Sequence, residues 1–152
     1  MISRRTFLSA TALALPAVTL AGLPARAGTD RVFTRRGAAI NGYDPVAYFT
    51  QSEPVQGDTL HVSTYEGAEW RFASAGNKAM FDADPAKYAP QYGGYCAYAV
   101  SQGYTAKTEP EAWSIVDGRL YLNYSLKVRD LWRQDIPGNI AAADSNWPGV
   151  LN

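Results

Sequence analysis

The sequence predicts a small single domain of the α+β class, built from two β-hairpins and short helices. Apolar and polar residues alternate on both sides of two turns, Glu66-Gly67 and Asp117-Gly118, as in antiparallel hairpins. Each hairpin is followed by a serine able to cap a helix, Ser74 and Ser125. The chain length of 152 residues fits one domain.

The first 27 residues have the features of a twin-arginine signal peptide. Arg4-Arg5 is followed by Phe7-Leu8, then by an apolar run at 10–23 and by Ala25-Arg26-Ala27, a small-x-small cleavage site. The apolar run is shorter than the roughly 20 residues that span a bilayer. We therefore expect cleavage after Ala27 and export to the periplasm by the twin-arginine machinery. A helix that stays attached to the domain is the alternative.

Charge and hydropathy restrict the partners of the mature chain. The whole chain has 14 basic and 14 acidic side chains, and the signal peptide contains three of the basic ones and none of the acidic ones. The mature domain is therefore mildly acidic and has no basic patch, which argues against a nucleic-acid partner. No second apolar run is long enough to span a membrane.

The first half of the domain is predicted to contain the first hairpin. Residues 28–40 are polar and charged and are expected to form a loose leader before a domain at 41–148. Asp44-Pro45 can cap and open a short helix. Met80 and Phe81 are expected to face inward. The predicted elements are a helical turn at 46–49, strands at 60–65 and 69–72, a helix at 74–83 and a short helix at 84–88.

The second half repeats the order of hairpin, serine and helix. Gly93-Gly94 permits backbone angles that other residues avoid. The expected elements are strands at 113–116 and 120–124, a helix from Ser125 to Trp132, a last helix from Pro137-Gly138 to about Trp147, and a tail at 149–152. Trp70 and Phe72 align with Tyr121 and Asn123, and this mismatch of faces favours two similar units that arose by chance over a duplication.

A series of short motifs follows in order along nearly the whole mature chain: Gly42-Tyr43-Asp44-Pro45-Val46-Ala47-Tyr48-Phe49, Tyr65-Glu66-Gly67, Trp70-Arg71-Phe72-Ala73-Ser74, Asp84-Pro85-Ala86-Lys87-Tyr88, Tyr92-Gly93-Gly94-Tyr95-Cys96-Ala97 and Leu120-Tyr121-Leu122-Asn123-Tyr124-Ser125. In order and spacing they resemble YHS domains, and in particular an exported bacterial subgroup of YHS domain-containing proteins. The resemblance implies a small α+β domain. It also suggests metal handling, because YHS modules occur beside copper and other heavy-metal transport proteins. Metal-type members have cysteines where this chain has Ala47 and Ala73.

A site for a copper-like soft metal ion could use three residues of the mature chain. Soft ions prefer thiolate, thioether and imidazole ligands, and Cys96, Met80 and His61 supply one of each. They lack the paired spacing that is typical of metal motifs. The alternatives are a Met80 that packs in the core and a His61 that faces solvent.

Cys96 is the one cysteine of the chain, so it has no disulfide partner within the chain. It follows a glycine turn, and nearby backbone N–H groups could lower its pKa and favour a reactive thiolate. This arrangement allows a thiol-dependent redox protein. The alternative is a small buried residue in an interaction module.

A tyrosine-lined pocket beside Cys96 is the binding site that the sequence favours. Five tyrosines flank the two glycine-bearing segments: Tyr43, Tyr48, Tyr92, Tyr95 and Tyr98. There is no nucleophile elbow, phosphate loop or zinc-protease motif, so a hydrolytic enzyme is disfavoured. We expect non-catalytic binding of a metal ion or small ligand near Cys96.

Overall fold

The computed structural model describes residues 28–152, and the predicted signal peptide lies outside them. The described residues form three antiparallel hairpins and six short helices, which confirms the predicted α+β class. None of the helices in this part of the chain is long and apolar enough to cross a membrane. The elements are β1 (Thr34–Arg35), β2 (Ala38–Ala39), α1 (Ala47–Thr50), β3 (Asp58–Tyr65), β4 (Ala68–Phe72), α2 (Ala75–Ala83), α3 (Pro85–Tyr88), α4 (Ala97–Ser101), β5 (Trp113–Val116), β6 (Arg119–Leu122), α5 (Leu126–Arg133) and α6 (Ile136–Asn146), with 3₁₀ turns at Ile40–Gly42, Gln91–Gly94 and Gly149–Leu151.

Both predicted hairpins form around the expected turns. Glu66 and Asp117 adopt left-handed backbone angles, and a glycine follows each of them, as tight hairpin turns require. β3 pairs with β4 and β5 pairs with β6, both antiparallel. A register irregularity between Asp58 and Val62 leaves Leu60 82% exposed.

The serine caps place the helices that follow the hairpins. The Ser74 hydroxyl accepts the Asn77 N–H at 3.1 Å, and the Ser125 hydroxyl accepts the Val128 N–H at 3.1 Å. Phe81 is buried as predicted, but Met80 is 39% exposed, so its expected inward position was wrong. Successive residues of a helix point about 100° apart, and α2 turns only the Phe81 side towards the hairpin.

The expected loose leader and tail are instead packed on the domain. Val32 and the segment 38–40 are buried, because β1 and β2 fold this segment back against the core. The Thr29 N–H donates to the Leu151 carbonyl at 2.9 Å, so the two ends of the described chain are joined. Leu151 itself is buried. The buried apolar residues of each segment, at 32 and 38–40 and at Leu151, therefore hold both segments against the domain.

The element order after β2 occurs twice. A 3₁₀ turn, a short helix, a hairpin and two further helices make up a first unit at 40–88 and a second unit at 91–146. Two hydrophobic clusters form the core: one around Phe81, to which Leu120 and Leu122 of β6 also contribute, and one around Trp132.

The inner faces of the two units agree, contrary to the expectation from the aligned strands. Tyr121 packs on Trp132 with ring centroids 5.1 Å apart, as Trp70 packs on Phe81 at 5.4 Å. Asn123, which aligns with Phe72, is fully buried. The mismatch between Phe72 and Asn123 is therefore a change of residue type at a position that faces inward in both units.

Candidate functional site

The centre of the first unit is the buried carboxylate of Asp44. One oxygen accepts the N–H groups of Val46 and Ala47 at 2.8 and 3.3 Å, at the start of α1. The other accepts the Ala73 N–H at 2.8 Å and the Asn77 amide at 2.7 Å, where β4 meets α2. Four donors compensate the burial of this charge, so the carboxylate joins helix to hairpin.

The centre of the second unit is the thiol of Cys96, which is 1% exposed. Its sulfur accepts the N–H groups of Ala99 at 3.5 Å and Tyr124 at 3.3 Å. The thiol in turn lies 3.5 Å from the Asn123 Oδ1, to which it can donate. The same Oδ1 accepts the Tyr98 N–H at 3.0 Å. A thiol and an amide together thus cap α4 and hold the end of β6.

Burial raises the pKa of the Cys96 thiol, although backbone N–H groups act in the opposite direction. The N–H contacts anticipated from the glycine turn are present, but the expectation that they lower the pKa overall was wrong. The Asn123 Oδ1 is positioned to accept the proton of the thiol. The resting sulfur is therefore a neutral thiol.

A cleft of about 230 Å³ opens directly over this thiol and is called the Cys96 cleft below. Its walls are mostly apolar, and no charged side chain lines it. Two of the lining tyrosines, Tyr104 and Tyr124, are 55% and 45% exposed and lie at its solvent side. The lining residues are Cys96, Tyr98, Ala99, Tyr104, Ala106, Tyr124 and Val128. An apolar enclosure with aromatic walls is typical of small-molecule sites.

The three predicted metal ligands lie on separate elements. His61 is a half-exposed residue of β3, and Met80 lies on α2, which packs on β3. Cys96 precedes α4, which packs on α5 and α6. Among the described residues neither His61 nor Met80 lines the Cys96 cleft, and no group of three His, Cys, Asp or Glu could hold a metal ion.

The five predicted tyrosines do not form one pocket. Tyr98 alone lies at the Cys96 cleft. Tyr48 is buried and donates to the Pro110 carbonyl at 2.9 Å, and burial raises its pKa. Tyr43 lines a separate polar groove of about 300 Å³.

Tyr92 and Tyr95 support the packing at the chain ends. Both rings pack on Trp147. The Tyr92 hydroxyl donates to Asp144 at 2.9 Å, and that of Tyr95 donates to the Asp30 carbonyl at 2.7 Å. Burial raises the pKa of each phenol, and the Asp144 contact adds to the rise at Tyr92. Their hydroxyls are therefore engaged in structural contacts.

Sequence reasoning missed the tyrosines at the mouth of the cleft and the amide of Asn123. Tyr104 lies in a polar stretch that is typical of a loop, and Tyr124 was assigned only to the end of the predicted strand at 120–124. Asn123 occupies an inward strand position, and its Nδ2 is buried without a hydrogen-bond partner. An asparagine directly after the apolar strand residues Leu120, Tyr121 and Leu122 was the available signal, since buried amides are uncommon unless they form hydrogen bonds.

Comparison with known proteins identifies part of the first unit. Residues 46–92 match the family model of the YHS domain. The matched segment begins just after Asp44 and ends at Tyr92, so most of the second unit lies outside it. No curated protein and no solved structure matches the chain.

Proposed function

We propose that this YHS domain-containing chain is an exported periplasmic protein that binds a small ligand in the Cys96 cleft without catalysing a reaction. The observation that carries the proposal is the cleft itself: an apolar, tyrosine-walled space over a neutral thiol. A site of about 230 Å³ suits a compact molecule, smaller than the drug-sized ligands of larger pockets.

The position of the cleft in the second unit supports a ligand-binding role. Ala47 and Ala73, where metal-type YHS domains have cysteines, both donate backbone N–H groups to Asp44. In the second unit the N–H groups bonded to Cys96 belong to Ala99 and Tyr124, which both line the cleft. The cleft therefore corresponds to the position that the resemblance associates with ligands.

A soft metal ion such as Cu(I) is the second candidate, and the same correspondence favours it. Such an ion would take the sulfur of Cys96 as a thiolate, so its binding would release the thiol proton. His61 and Met80 remain predicted ligands. They would need to approach the sulfur from other elements of the fold.

Redox catalysis is less well supported than binding. A nucleophilic thiol has to ionise and meet its substrate, whereas burial raises the pKa of Cys96 and leaves it 1% exposed. The sequence contains no second cysteine that could resolve an oxidised thiol. In an oxidising compartment the same burial would protect the sulfur.

Binding can be tested by titrating isotopically labelled protein with benzyl alcohol, a compact aromatic probe, and following the amide resonances by NMR. We expect shifts at Tyr98, Tyr104 and Tyr124. Ala106→Phe should fill the cleft and weaken binding at least tenfold, while Ala79→Phe, on the exposed surface of α2, should leave it unchanged. Absence of shifts in the wild type, or equal binding by both variants, would refute the proposed site.

Export and the metal alternative can be tested together on untagged protein purified from its own cells. Intact mass should show a chain that begins at Gly28 and is recovered from the periplasmic fraction. Metal analysis of wild type beside Cys96→Ala then separates the two ligand classes. Stoichiometric copper that the variant lacks would favour the metal, and a full-length chain in the cytoplasm would contradict export.

A further inference from the structure

We infer that the second unit is a diverged copy of the first, and that replacement of Asp44 by Cys96 and of Asn77 by Val128 created a cleft selective for uncharged ligands. This inference rests on the proposed binding function. It assigns Val128 as the residue that determines whether the site is open.

The first evidence is a shared backbone course before each centre. Three successive left-handed residues precede Tyr43 and Tyr95, with φ of 44°, 62° and 78° over 40–42 and of 58°, 62° and 82° over 92–94. Three of these six residues, Ile40, Asn41 and Tyr92, are not glycine, and such a conformation is uncommon for them. In each unit the tyrosine N–H then bonds back to the first residue of the three, at 3.2 and 3.0 Å.

The second evidence is an equivalent pattern of bonds around the centres. The Asp44 N–H donates to the Val55 carbonyl at 2.8 Å, and the Cys96 N–H donates to Ala106 at 3.0 Å. Two residues after each acceptor, the chain bonds back to the glycine of the left-handed segment. The Gly57 N–H donates to the Gly42 carbonyl at 2.9 Å, and the Thr108 side-chain hydroxyl donates to the Gly94 carbonyl at 2.8 Å.

The correspondence continues through the last two helices. Asp84 and Asp135 follow the aromatic residue of each unit and adopt nearly the same backbone angles, −154° and 73° against −147° and 73°. The N–H of each donates back to that aromatic residue, Phe81 or Trp132. The lengths of the strands and of the last helices differ, but chance similarity of two hairpins does not account for agreement that extends from the 3₁₀ turn to the start of the last helix.

The origin of the cleft follows from the two central replacements. Asn77 and Val128 are equivalent, because the N–H of each bonds to the capping serine. In the first unit the Asn77 amide reaches the carboxylate at 2.7 Å and fills the space beside it. Val128 has no polar end and lines the open space beside Cys96.

The same replacements determine which ligand charge the cleft can accommodate. The first unit has an anion at its centre, whereas the second has a neutral thiol. The N–H groups of Ala99 and Tyr124 donate to its sulfur and are therefore not free to bind a ligand. A charged ligand would lose hydration in the cleft, because no charged side chain lines it. The Lys107 ammonium lies over the Tyr124 ring, but it is already paired with Glu109 at 2.6 Å. Uncharged, mainly apolar molecules are therefore the class that fits.

Ligand selectivity is tested with benzyl alcohol, benzoate and benzylamine, which differ mainly in charge. Wild type should bind the alcohol at least tenfold more tightly than either charged compound. Val128→Asn should weaken alcohol binding about tenfold, while Val62→Asn on the outer face of β3 should not. Equal binding of all three probes, or no effect of Val128→Asn, overturns the inference while leaving the binding site in place. A wild type that binds no probe refutes both.

The copy relationship is tested without any ligand by a double-mutant cycle. Cys96→Asp alone should lower the melting temperature, because its carboxylate faces Asn123 and lacks a partner at 128. Adding Val128→Asn should rebuild the arrangement of Asp44 and Asn77 and raise the melting temperature by about 5 °C relative to Cys96→Asp. Additive effects of the two substitutions would show that these positions are not equivalent to 44 and 77.

Discussion

The two units share a backbone plan but differ in what occupies their centres. Asp44 is a buried anion with four donors, and its surroundings are closely filled. Cys96 is a neutral thiol with a cleft above it, and it shares its capping role with Asn123. A buried charge that is fully hydrogen-bonded stabilises a scaffold but leaves little freedom for a ligand. The neutral centre at Cys96 contributes less stabilisation, but it leaves an open cleft beside the thiol.

The largest expected effect is at the charged centre. Asp44→Ala should lower the free energy of unfolding by about 4 kcal/mol, because it leaves buried N–H groups of α1 and β4 without an acceptor. Urea titration followed by circular dichroism measures the loss. Asp130→Ala, at an exposed carboxylate, is the matched control. A loss at Asp44 no greater than at Asp130 would mean that the carboxylate is not the structural centre of the first unit.

A smaller loss is expected at the neutral centre. Asn123→Ala removes the acceptor of the Tyr98 N–H but also removes an unpartnered buried amide, so the net cost should be about 2 kcal/mol. The same urea titration measures it, with Asn152→Ala as control. If Asn123→Ala were as destabilising as Asp44→Ala, the difference between the two centres would disappear.

The thiol should make the stability of the protein depend on alkaline pH. Its pKa is raised by burial in the folded state, so its contribution is fully present below the ordinary thiol pKa of about 8.5 and is lost as pH rises through the folded value. The difference in unfolding free energy between wild type and Cys96→Ala should fall above that pH by up to about 1.4 kcal/mol per pH unit. A constant difference between neutral and alkaline pH would contradict the buried neutral thiol.

Local signals in the sequence were sufficient for the hairpins and helix starts. The turns at Glu66 and Asp117 and the caps at Ser74 and Ser125 depend on neighbouring residues alone, so they could be predicted. The packing of 28–40 could not, since it depends on contacts with the distant C-terminal end.

The relation between the units was hidden because the replacements fall at the centres. The second unit has Cys96 where the first has Asp44, and Asn123 where the first has Phe72. These residues are chemically dissimilar, so the sequences do not align well there, although the backbone hydrogen bonds around them are the same. The cleft was likewise beyond sequence reasoning. Its walls come from α4, α5 and the loop after α4, and three of its residues, Tyr104, Tyr124 and Val128, show no periodicity in common.

The most direct test of the difference between the centres is the ionisation of Cys96 itself. Thiolate absorbance in the ultraviolet, measured against pH for wild type and corrected with Cys96→Ala, reports its protonation in the folded protein. The account predicts a thiol that remains protonated in the folded protein at pH values above the ordinary pKa of about 8.5. A thiolate already present at neutral pH would contradict it and would favour a reactive or metal-binding sulfur.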